Sequence, residues 1–227
     1  MSDSTSPIRF FFDAISHNAW IAWTQIHPLA ARYGRRVEPV PVLFAGLLAA
    51  HGQLGPAEIP AKTVWMVRDL LRKANLLGVE LEPPPSHPFN PLLSLRIAGL
   101  PMPDDVRQRL VEGLFRAVWT GGPGVTDPEA VAAIATAAGL DGPRAVQQAQ
   151  GTEAKTRLRR ATDDAIAAGV FGVPTMIVDG ELFWGFDDFR HLELFLAGKD
   201  PLDREALVRW GQLRPTARRR IGRDKPA

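Results

Sequence analysis

The stretch from Gly169 to Asp187 gathers the strongest local signals of the chain into nineteen residues. Two short runs rich in β-branched and aromatic residues, Thr175 to Val178 and Glu181 to Trp184, flank an Asp-Gly pair, which predicts a tight β-hairpin. Pro174 directly precedes the first run. Because proline cannot donate a hydrogen bond to a sheet, we expect it at a strand entrance, where its bond to the preceding residue is a candidate for the cis form.

The end of this stretch predicts a helix after the hairpin. Gly185 breaks the second strand, and Asp187 is expected to be the N-cap of a helix. The apolar residues of that helix recur at helical spacing and are Phe189, Leu192, Phe195 and Leu196. The whole segment therefore predicts a strand pair followed by a capped helix.

The opening of the chain predicts a strand, a helix and a second strand. Ile8 to Phe12 is an apolar run that we interpret as a buried strand. Ser16 or Asn18 is expected to cap a helix that runs to Gly34, with a kink or break at Pro28. A strand, a helix and a strand at this spacing form a βαβ unit with a right-handed crossover.

The second strand is predicted over residues 37–44 and carries two prolines. Pro39 and Pro41 are two residues apart, so both would direct their missing N–H to the same side. This spacing suits an edge strand, or a strand that is paired only on its other side.

From Ala45 to about Ala168 the pattern is helical, with no further convincing strand. Segments with helical apolar spacing run from Lys62 to Leu77, Asn90 to Ala98, Asp104 to Trp119, Asp127 to Ala138 and Thr152 to Ala168. We therefore predict an α/β thioredoxin-like fold with an inserted all-helical domain. The predicted units are a discontinuous thioredoxin-like domain (8–45 and 169–200), a helical insertion (46–168), a C-terminal helix (201–213) and a basic disordered tail (214–227).

Charge and composition exclude several classes of protein. The whole chain carries +2, and residues 214–227 alone carry +5, so the body carries −3. The basic pI therefore reflects a tail of arginines and lysine, Arg218, Arg219, Arg220, Arg223 and Lys225, and we predict no nucleic-acid partner. Contact of this tail with acidic partners is the less favoured alternative.

Residue types and hydropathy narrow the chemistry further. The chain has no cysteine, which excludes disulfides, thiolate metal ligands and a self-contained thiol redox cycle. The five histidines show no metal-ligand spacing, so we predict no metal site. No window is apolar enough to span a membrane, and we expect no membrane partner. The N-terminus lacks the pattern of a signal peptide, which favours the cytoplasm.

Four motifs, in this order and spacing, carry a resemblance to a known family. They are Phe11-Phe12-Asp13-Ala14-Ile15-Ser16, Ile59-Pro60-Ala61-Lys62, His87-Pro88-Phe89-Asn90-Pro91-Leu92, and Gly169 to Thr175 followed by Phe183 to Asp187. Over roughly residues 8–198 the chain resembles the 2-hydroxychromene-2-carboxylate isomerase family and its relatives, the kappa-class glutathione transferases and the DsbA-like disulfide oxidoreductases.

The resemblance implies glutathione as the cofactor and Ser16 as the catalytic residue that faces its sulfur. A hydroxyl at a helix N-terminus can hydrogen-bond a thiolate and lower its pKa, although spacing alone favours a simple cap. Val173 and Pro174 match a backbone segment that pairs with the glutathione peptide. Asp187 matches an aspartate that receives the γ-glutamyl ammonium, and Lys62 matches a lysine that meets a carboxylate. Without the resemblance, each residue has a simpler interpretation. Asp187 is then a helix N-cap, and Lys62 is a solvated lysine in the first turn of a helix.

The chain departs from the usual family pattern at several site positions. Ser16 is followed by His17 and Asn18 where the family has a proline and an aromatic residue. Gln53 takes the region of a glutathione-binding asparagine, and Phe186 stands beside Asp187 where a small or polar residue is common. We retain Gln53 and Phe186 among the cofactor-binding residues. The expected substrate pocket comprises His17, Asn18, Trp20 and Trp184.

The resemblance implies a glutathione-dependent isomerase of an unsaturated, aromatic-derived carboxylate, a small-molecule substrate. Two alternatives stay open. One is a kappa-like glutathione transferase or peroxidase, in which glutathione is consumed. The other is a non-catalytic thioredoxin-fold binding protein, favoured if the altered corner at residues 16–18 cannot hold a thiolate. Members of the family are often dimeric, so a homodimer is expected.

Overall fold

The computed structural model describes residues 6–217 and contains one mixed sheet of four strands within that range. The strands are β1 (Ile8–Phe12), β2 (Val37–Pro41), β3 (Thr175–Val178) and β4 (Glu181–Trp184), in the order β2-β1-β3-β4. β1 pairs with β2 in parallel and with β3 antiparallel, and β3 and β4 form the predicted hairpin. The two ends of the chain therefore complete one sheet, as the sequence predicts.

The edge position predicted for the second strand is confirmed, but its predicted end is wrong. Pro39 lies opposite Phe10 and Pro41 opposite Phe12, on a strand with one neighbour. β2 stops at Pro41, and Phe44 already begins a helix. The chain turns there because the Phe44 N–H donates to the Asp13 carboxylate at 3.0 Å.

Ten α-helices lie within residues 6–217 and match the predicted pattern closely. They are α1 (His17–Arg32), α2 (Phe44–His51), α3 (Pro60–Leu77), α4 (Leu92–Ala98), α5 (Asp104–Trp119), α6 (Pro128–Ala138), α7 (Gly142–Gln150), α8 (Thr152–Ala167), α9 (Phe189–Leu196) and α10 (Arg204–Gly211). The sequence pattern did not predict α2 or α7. α10 falls inside the C-terminal helix expected over 201–213, and the tail residues from Arg218 onward lie outside the described part of the chain.

The first helix does not break at Pro28, contrary to one of the two predicted outcomes. α1 runs without interruption from His17 to Arg32. A proline removes only one helical hydrogen bond, whereas Trp23, Ile26 and Leu29 on the same helix are buried in the core. Packing of this apolar face outweighs the local cost of the proline.

The sheet and the inserted helices share one hydrophobic core. The Phe12 ring lies 5.5 Å from the Phe115 ring on α5, and the Trp23 ring lies 5.9 Å from Phe115. The same cluster of buried residues continues through α4 to α8. The division of the chain into two domains stays a prediction. No helix in residues 6–217 has the length and hydropathy needed to cross a bilayer.

Candidate functional site

Ser16 lies at the N-terminus of α1 and is its N-cap, which resolves the alternative with Asn18. Its backbone is extended, with φ −92° and ψ 112°, and its Oγ accepts a hydrogen bond from the Ala19 N–H at 3.2 Å. The same hydroxyl points toward the Val173 carbonyl oxygen across a long contact of 3.4 Å. Two residues 157 positions apart in sequence therefore meet at the positive end of a helix dipole.

The Asp13 side chain holds the loop before Ser16 by hydrogen bonds to the backbone. Its buried carboxylate accepts hydrogen bonds from the Ile15 N–H and the Phe44 N–H, each at 3.0 Å. Burial raises the pKa of Asp13 to about 7, although the two backbone donors act in the opposite direction. Asp13 thereby ties the start of α1 to the start of α2.

Two aromatic side chains from distant parts of the chain contact backbone carbonyls of the same loop. The Trp119 indole Nε1 donates to the Ala14 carbonyl at 3.0 Å, and the His87 Nε2 lies 3.1 Å from the Ile15 carbonyl. The sequence analysis assigned neither residue to the site. His87 belongs to a quoted family motif, but only the fold brings it to this loop.

His17 is buried beside Trp119 and carries no charge near neutral pH. Burial lowers the pKa of His17 to about 4, with further lowering by the charges of His87 and Lys73 and a partial opposing effect of Asp69. Its ring lies 5.9 Å from the Trp119 ring. His17 is therefore a neutral side chain near neutral pH rather than a cation.

The Trp20 side chain and the side-chain oxygen of Asn18 are also enclosed by the protein. Trp20 is 1% exposed and its Nε1 donates to the Glu80 carbonyl at 3.1 Å, so it packs in the core and leaves no open surface to a substrate. This placement corrects the expectation that Trp20 lines a pocket, because its helical spacing with Trp23 puts both indoles on the core face. The Asn18 side-chain oxygen is buried without a hydrogen-bond partner in the described chain.

The loop before β3 lies opposite the Ser16 hydroxyl. The Val173–Pro174 bond is cis, as the sequence analysis had allowed, and the Pro174 carbonyl accepts the Gly185 N–H at 2.9 Å. Within residues 6–217 the Val173 N–H has no hydrogen-bond partner. Trp184 is 50% exposed and covers Gly172, where an added Cβ would lie 2.6 Å from the indole nitrogen.

Asp187 is not the N-cap that the sequence predicts. It lies in a short 3₁₀ turn, Phe186–Asp188, and α9 begins at Phe189 directly after Asp188. Asp188 faces the local chain, since its carboxylate accepts the Trp184 N–H at 3.0 Å. The prediction was displaced by one residue because two adjacent aspartates precede the helix and only the fold decides which faces outward.

The Asp187 carboxylate instead forms an ion pair with Lys73 of α3 at 2.9 Å. Lys73 also pairs with Asp69 at 2.8 Å. Burial lowers the pKa of Lys73, but its hydrogen bonds and charge contacts with the two aspartates outweigh burial and raise it overall. Because two carboxylates share one ammonium, this Asp69–Lys73–Asp187 cluster keeps a net charge of −1 and can attract a further cation.

The remaining predicted cofactor-binding residues are Phe186, Lys62 and Gln53. Phe186 is half-buried and its ring lies 4.9 Å from Phe189. Lys62 is exposed in the first turn of α3, and Gln53 is exposed just after α2. Within the described residues neither Lys62 nor Gln53 forms a hydrogen bond or an ion pair with the Asp13–Ser16 loop. The structure therefore pairs Ser16 with Val173 and Asp187 with Lys73 and leaves Lys62 and Gln53 outside both pairs.

A mixed four-stranded sheet whose first helix begins opposite the loop before an antiparallel hairpin defines a thioredoxin-class fold. The chain belongs to the DSBA-like thioredoxin domain family, whose family model matches residues 7–197. This confirms the fold class and the family resemblance drawn from the four motifs.

Individual relatives narrow the comparison. The chain is 30% identical over 196 residues to a 2-hydroxychromene-2-carboxylate isomerase of Sphingobium xenophagum, covering 85% of this chain and 98% of the relative. It is 23% identical over 217 residues to glutathione S-transferase kappa 1 of Rattus norvegicus, covering 88% and 94%. A solved 2-hydroxychromene-2-carboxylate isomerase superimposes with a TM-score of 0.78 at 25% identity, covering 90% of this chain and 97% of that one.

Proposed function

We propose that this protein is a glutathione-dependent isomerase of an unsaturated, aromatic-derived carboxylate, similar in activity to 2-hydroxychromene-2-carboxylate isomerase. The observation that carries the proposal is the position of Ser16, whose hydroxyl caps α1 and faces the Val173 carbonyl at 3.4 Å. The similarity to relatives that bear the isomerase name supports the reaction class.

The residues around Ser16 fit a tripeptide that carries a thiol, an ammonium and carboxylates. Val173 offers an unpaired backbone N–H next to Ser16, and the Asp69–Lys73–Asp187 cluster offers a net negative charge. In this proposal the Ser16 hydroxyl donates to the sulfur, Val173 and Pro174 line the peptide backbone, and Asp187 accepts from the ammonium. Lys62, Gln53 and Phe186 are proposed to lie around the rest of the ligand.

The chemistry divides between the cofactor and the protein. When bound, glutathione supplies a thiol nucleophile that adds to a conjugated carbon and leaves again after the carbon–carbon bond has rotated. Ser16 and the α1 dipole stabilise the negative charge on sulfur, which keeps the nucleophile ionised near neutral pH. We place the substrate beside His17, Asn18 and the exposed face of Trp184, whose indole suits an aromatic ring.

Titration of the bound thiol tests this function directly. Glutathione is added to the wild-type protein in a calorimeter, and thiolate absorbance near 240 nm is followed against pH. We expect binding and a thiol pKa below that of free glutathione. Ser16→Ala is expected to bind glutathione but to raise the thiol pKa back toward the free value. Ser94→Ala is the matched control, because Ser94 is a buried helical serine whose Oγ donates only to the Pro91 carbonyl.

The outcomes of this titration separate the open alternatives. A wild-type thiol pKa equal to that of free glutathione contradicts the mechanism, and absence of binding at millimolar glutathione favours a non-catalytic binding protein. The similarity to a kappa-class transferase favours transferase or peroxidase activity as the second candidate. Measuring free thiol during turnover distinguishes the two activities, because an isomerase leaves glutathione unconsumed.

The proposed setting of the enzyme follows from the cofactor and the surface. A reaction that uses reduced glutathione suits the cytoplasm, where thiols are kept reduced.

Four exposed apolar side chains of α3, Val64, Trp65, Val67 and Leu71, support a homodimer, because such patches on soluble proteins mark contact surfaces. Sedimentation analysis checks the dimer, and Trp65→Glu is expected to shift it toward the monomer.

A further inference from the structure

The peptide unit between Ile15 and Ser16 is held at both of its polar atoms. The Ser16 N–H donates to the Asp13 carbonyl at 3.0 Å, and the Ile15 carbonyl meets His87 Nε2 at 3.1 Å. Because this peptide plane leads directly into Ser16, its orientation contributes to the direction of the serine hydroxyl, together with the hydrogen bond from the Ala19 N–H. The first of these contacts is local, whereas the second comes from a residue 72 positions away.

The protonation of His87 Nε2 follows from its partner. A carbonyl oxygen only accepts hydrogen bonds, so Nε2 carries the hydrogen and Nδ1 carries the lone pair in the neutral ring. The ring is also fixed in place, since it lies 5.7 Å from the Trp119 ring and 6.3 Å from the Phe89 ring. His87 therefore presents one N–H donor in a set direction toward the loop.

We propose that His87 is a positioning residue for the thiol site, acting through the Ile15–Ser16 peptide on the direction of the Ser16 hydroxyl. Through this contact the segment between α3 and α4, residues 78–91, would act on the loop that carries Ser16. This role rests on the proposed function only for its effect on bound thiol, because the hydrogen bond to Ile15 is a property of the protein alone.

The other anchors of the loop show why His87 is the adjustable one. Asp13 and Trp119 are buried, so changing either leaves buried polar groups unpaired and destabilises the whole fold. His87 is exposed, so the loss of its hydrogen bond can be compensated by water at a small cost in stability. Its substitution should therefore alter the geometry of Ser16 while the protein remains folded.

Three substitutions separate the N–H donor from the ring. His87→Gln places an amide N–H near the position of Nε2, His87→Asn places it near Nδ1, and His87→Phe keeps the ring against Trp119 without any donor. His51→Gln is the matched control, because His51 Nε2 also lies 3.1 Å from a backbone carbonyl, that of Val170. Hydrogen exchange of the segment around Ser16 is measured without ligand, followed by titration of bound glutathione thiol.

We expect His87→Gln and His51→Gln to match the wild type in both measurements. His87→Asn and His87→Phe should exchange the Ser16 amide faster by roughly tenfold, the equivalent of one lost hydrogen bond, and should raise the pKa of the bound thiol. Equal exchange in all four variants overturns the proposal whether or not glutathione binds. Failure of the wild type to bind glutathione, together with the expected exchange pattern, contradicts the proposed function and leaves the positioning role supported.

Discussion

The two walls of the site are built in opposite ways. The loop at residues 13–16 is held by buried partners, with Asp13 and Trp119 both enclosed and each making a hydrogen bond to the backbone. The turn at residues 184–188 is open, with Trp184 50% exposed and the Asp187 side chain 75% exposed. The wall that we propose to face the thiol is therefore enclosed by the protein, and the wall that we propose to receive the ammonium end of the ligand is open to solvent.

This difference separates stability from binding. Hydrogen bonds to buried backbone groups are costly to lose, because the abandoned group cannot return to water. Exposed ion pairs contribute little to folding, because water and salt screen them. We therefore expect substitutions of the buried anchors of the first wall, Asp13 and Trp119, to act on folding and substitutions in the second wall to act on affinity.

The largest expected effect is that of Asp13→Ala. The substitution leaves the part-buried N–H groups of Ile15 and Phe44 without their acceptor, and a buried group left in this way costs about 1–3 kcal/mol. We expect the free energy of unfolding at pH 6, measured in urea, to fall by about 2–5 kcal/mol. Asp187→Ala is the control from the open wall and should change it by less than about 0.5 kcal/mol. Equal losses in the two variants would remove the contrast between the walls.

A second prediction uses the opposite pKa shifts of two neighbours in the enclosed wall. The pKa of Asp13 is raised from 3.8 to about 7, so its stabilising contribution is full below pH 3.8 and is lost as the pH rises through 7. The pKa of His17 is lowered from 6.5 to about 4, so its contribution is full above pH 6.5 and is lost as the pH falls through 4. The two effects oppose each other over nearly the same range.

Single substitutions should expose each half of this balance. At about 1.4 kcal/mol per pKa unit, His17→Gln should gain about 3 kcal/mol in unfolding free energy relative to wild type between pH 7 and pH 4. Asp13→Asn should move in the other direction by about 4 kcal/mol between pH 8 and pH 4. Urea unfolding at several pH values checks both. A difference from wild type that does not vary with pH for either variant contradicts the assigned shift of that residue.

The same contrast explains what the sequence could and could not predict. The hairpin, the edge prolines and most helices follow from local patterns, because turn residues and apolar spacing act over a few positions. Ser16 was predicted as the catalytic residue from its family motif and its place before a helix, and that role stays a prediction. Trp119 and His87 were missed as site residues, because their hydrogen bonds to the 13–16 loop span 105 and 72 positions and leave no local trace.

The missed elements have equally specific causes. α2 starts at Phe44, whose N–H donates to the carboxylate of the distant Asp13. Nothing local marks this start, so the apolar residues 42–44 were predicted to continue the strand. Asp187 and Asp188 are equivalent in sequence, and Lys73 on another helix determines which of them faces outward. Trp20 was expected at the surface of the site, but close packing around Phe115 encloses it.

The open wall should respond through affinity, with a smaller effect. Asp187→Asn removes one charge from the Asp69–Lys73–Asp187 cluster and should weaken glutathione binding by roughly tenfold, as for one charge-assisted hydrogen bond. Lys73→Met leaves both aspartates for the ligand ammonium and should strengthen binding. Calorimetry with glutathione measures both changes. Affinities that move in the same direction in the two variants contradict the assignment of the ammonium to this cluster.

The smallest effect is expected at the far end of the hairpin, away from both walls. Asp179 turns the β3–β4 hairpin with a positive φ of 50° and pairs with Arg35 at 2.6 Å. Asp179→Asn preserves the preference for this backbone conformation but removes the charge, so the unfolding free energy should fall by less than about 1 kcal/mol. The loss should shrink further in 1 M salt, because salt screens the Arg35–Asp179 ion pair. A loss that persists at high salt, or any change in glutathione affinity, would mean that the hairpin end supports the site and that the enclosed wall extends beyond residues 13–16.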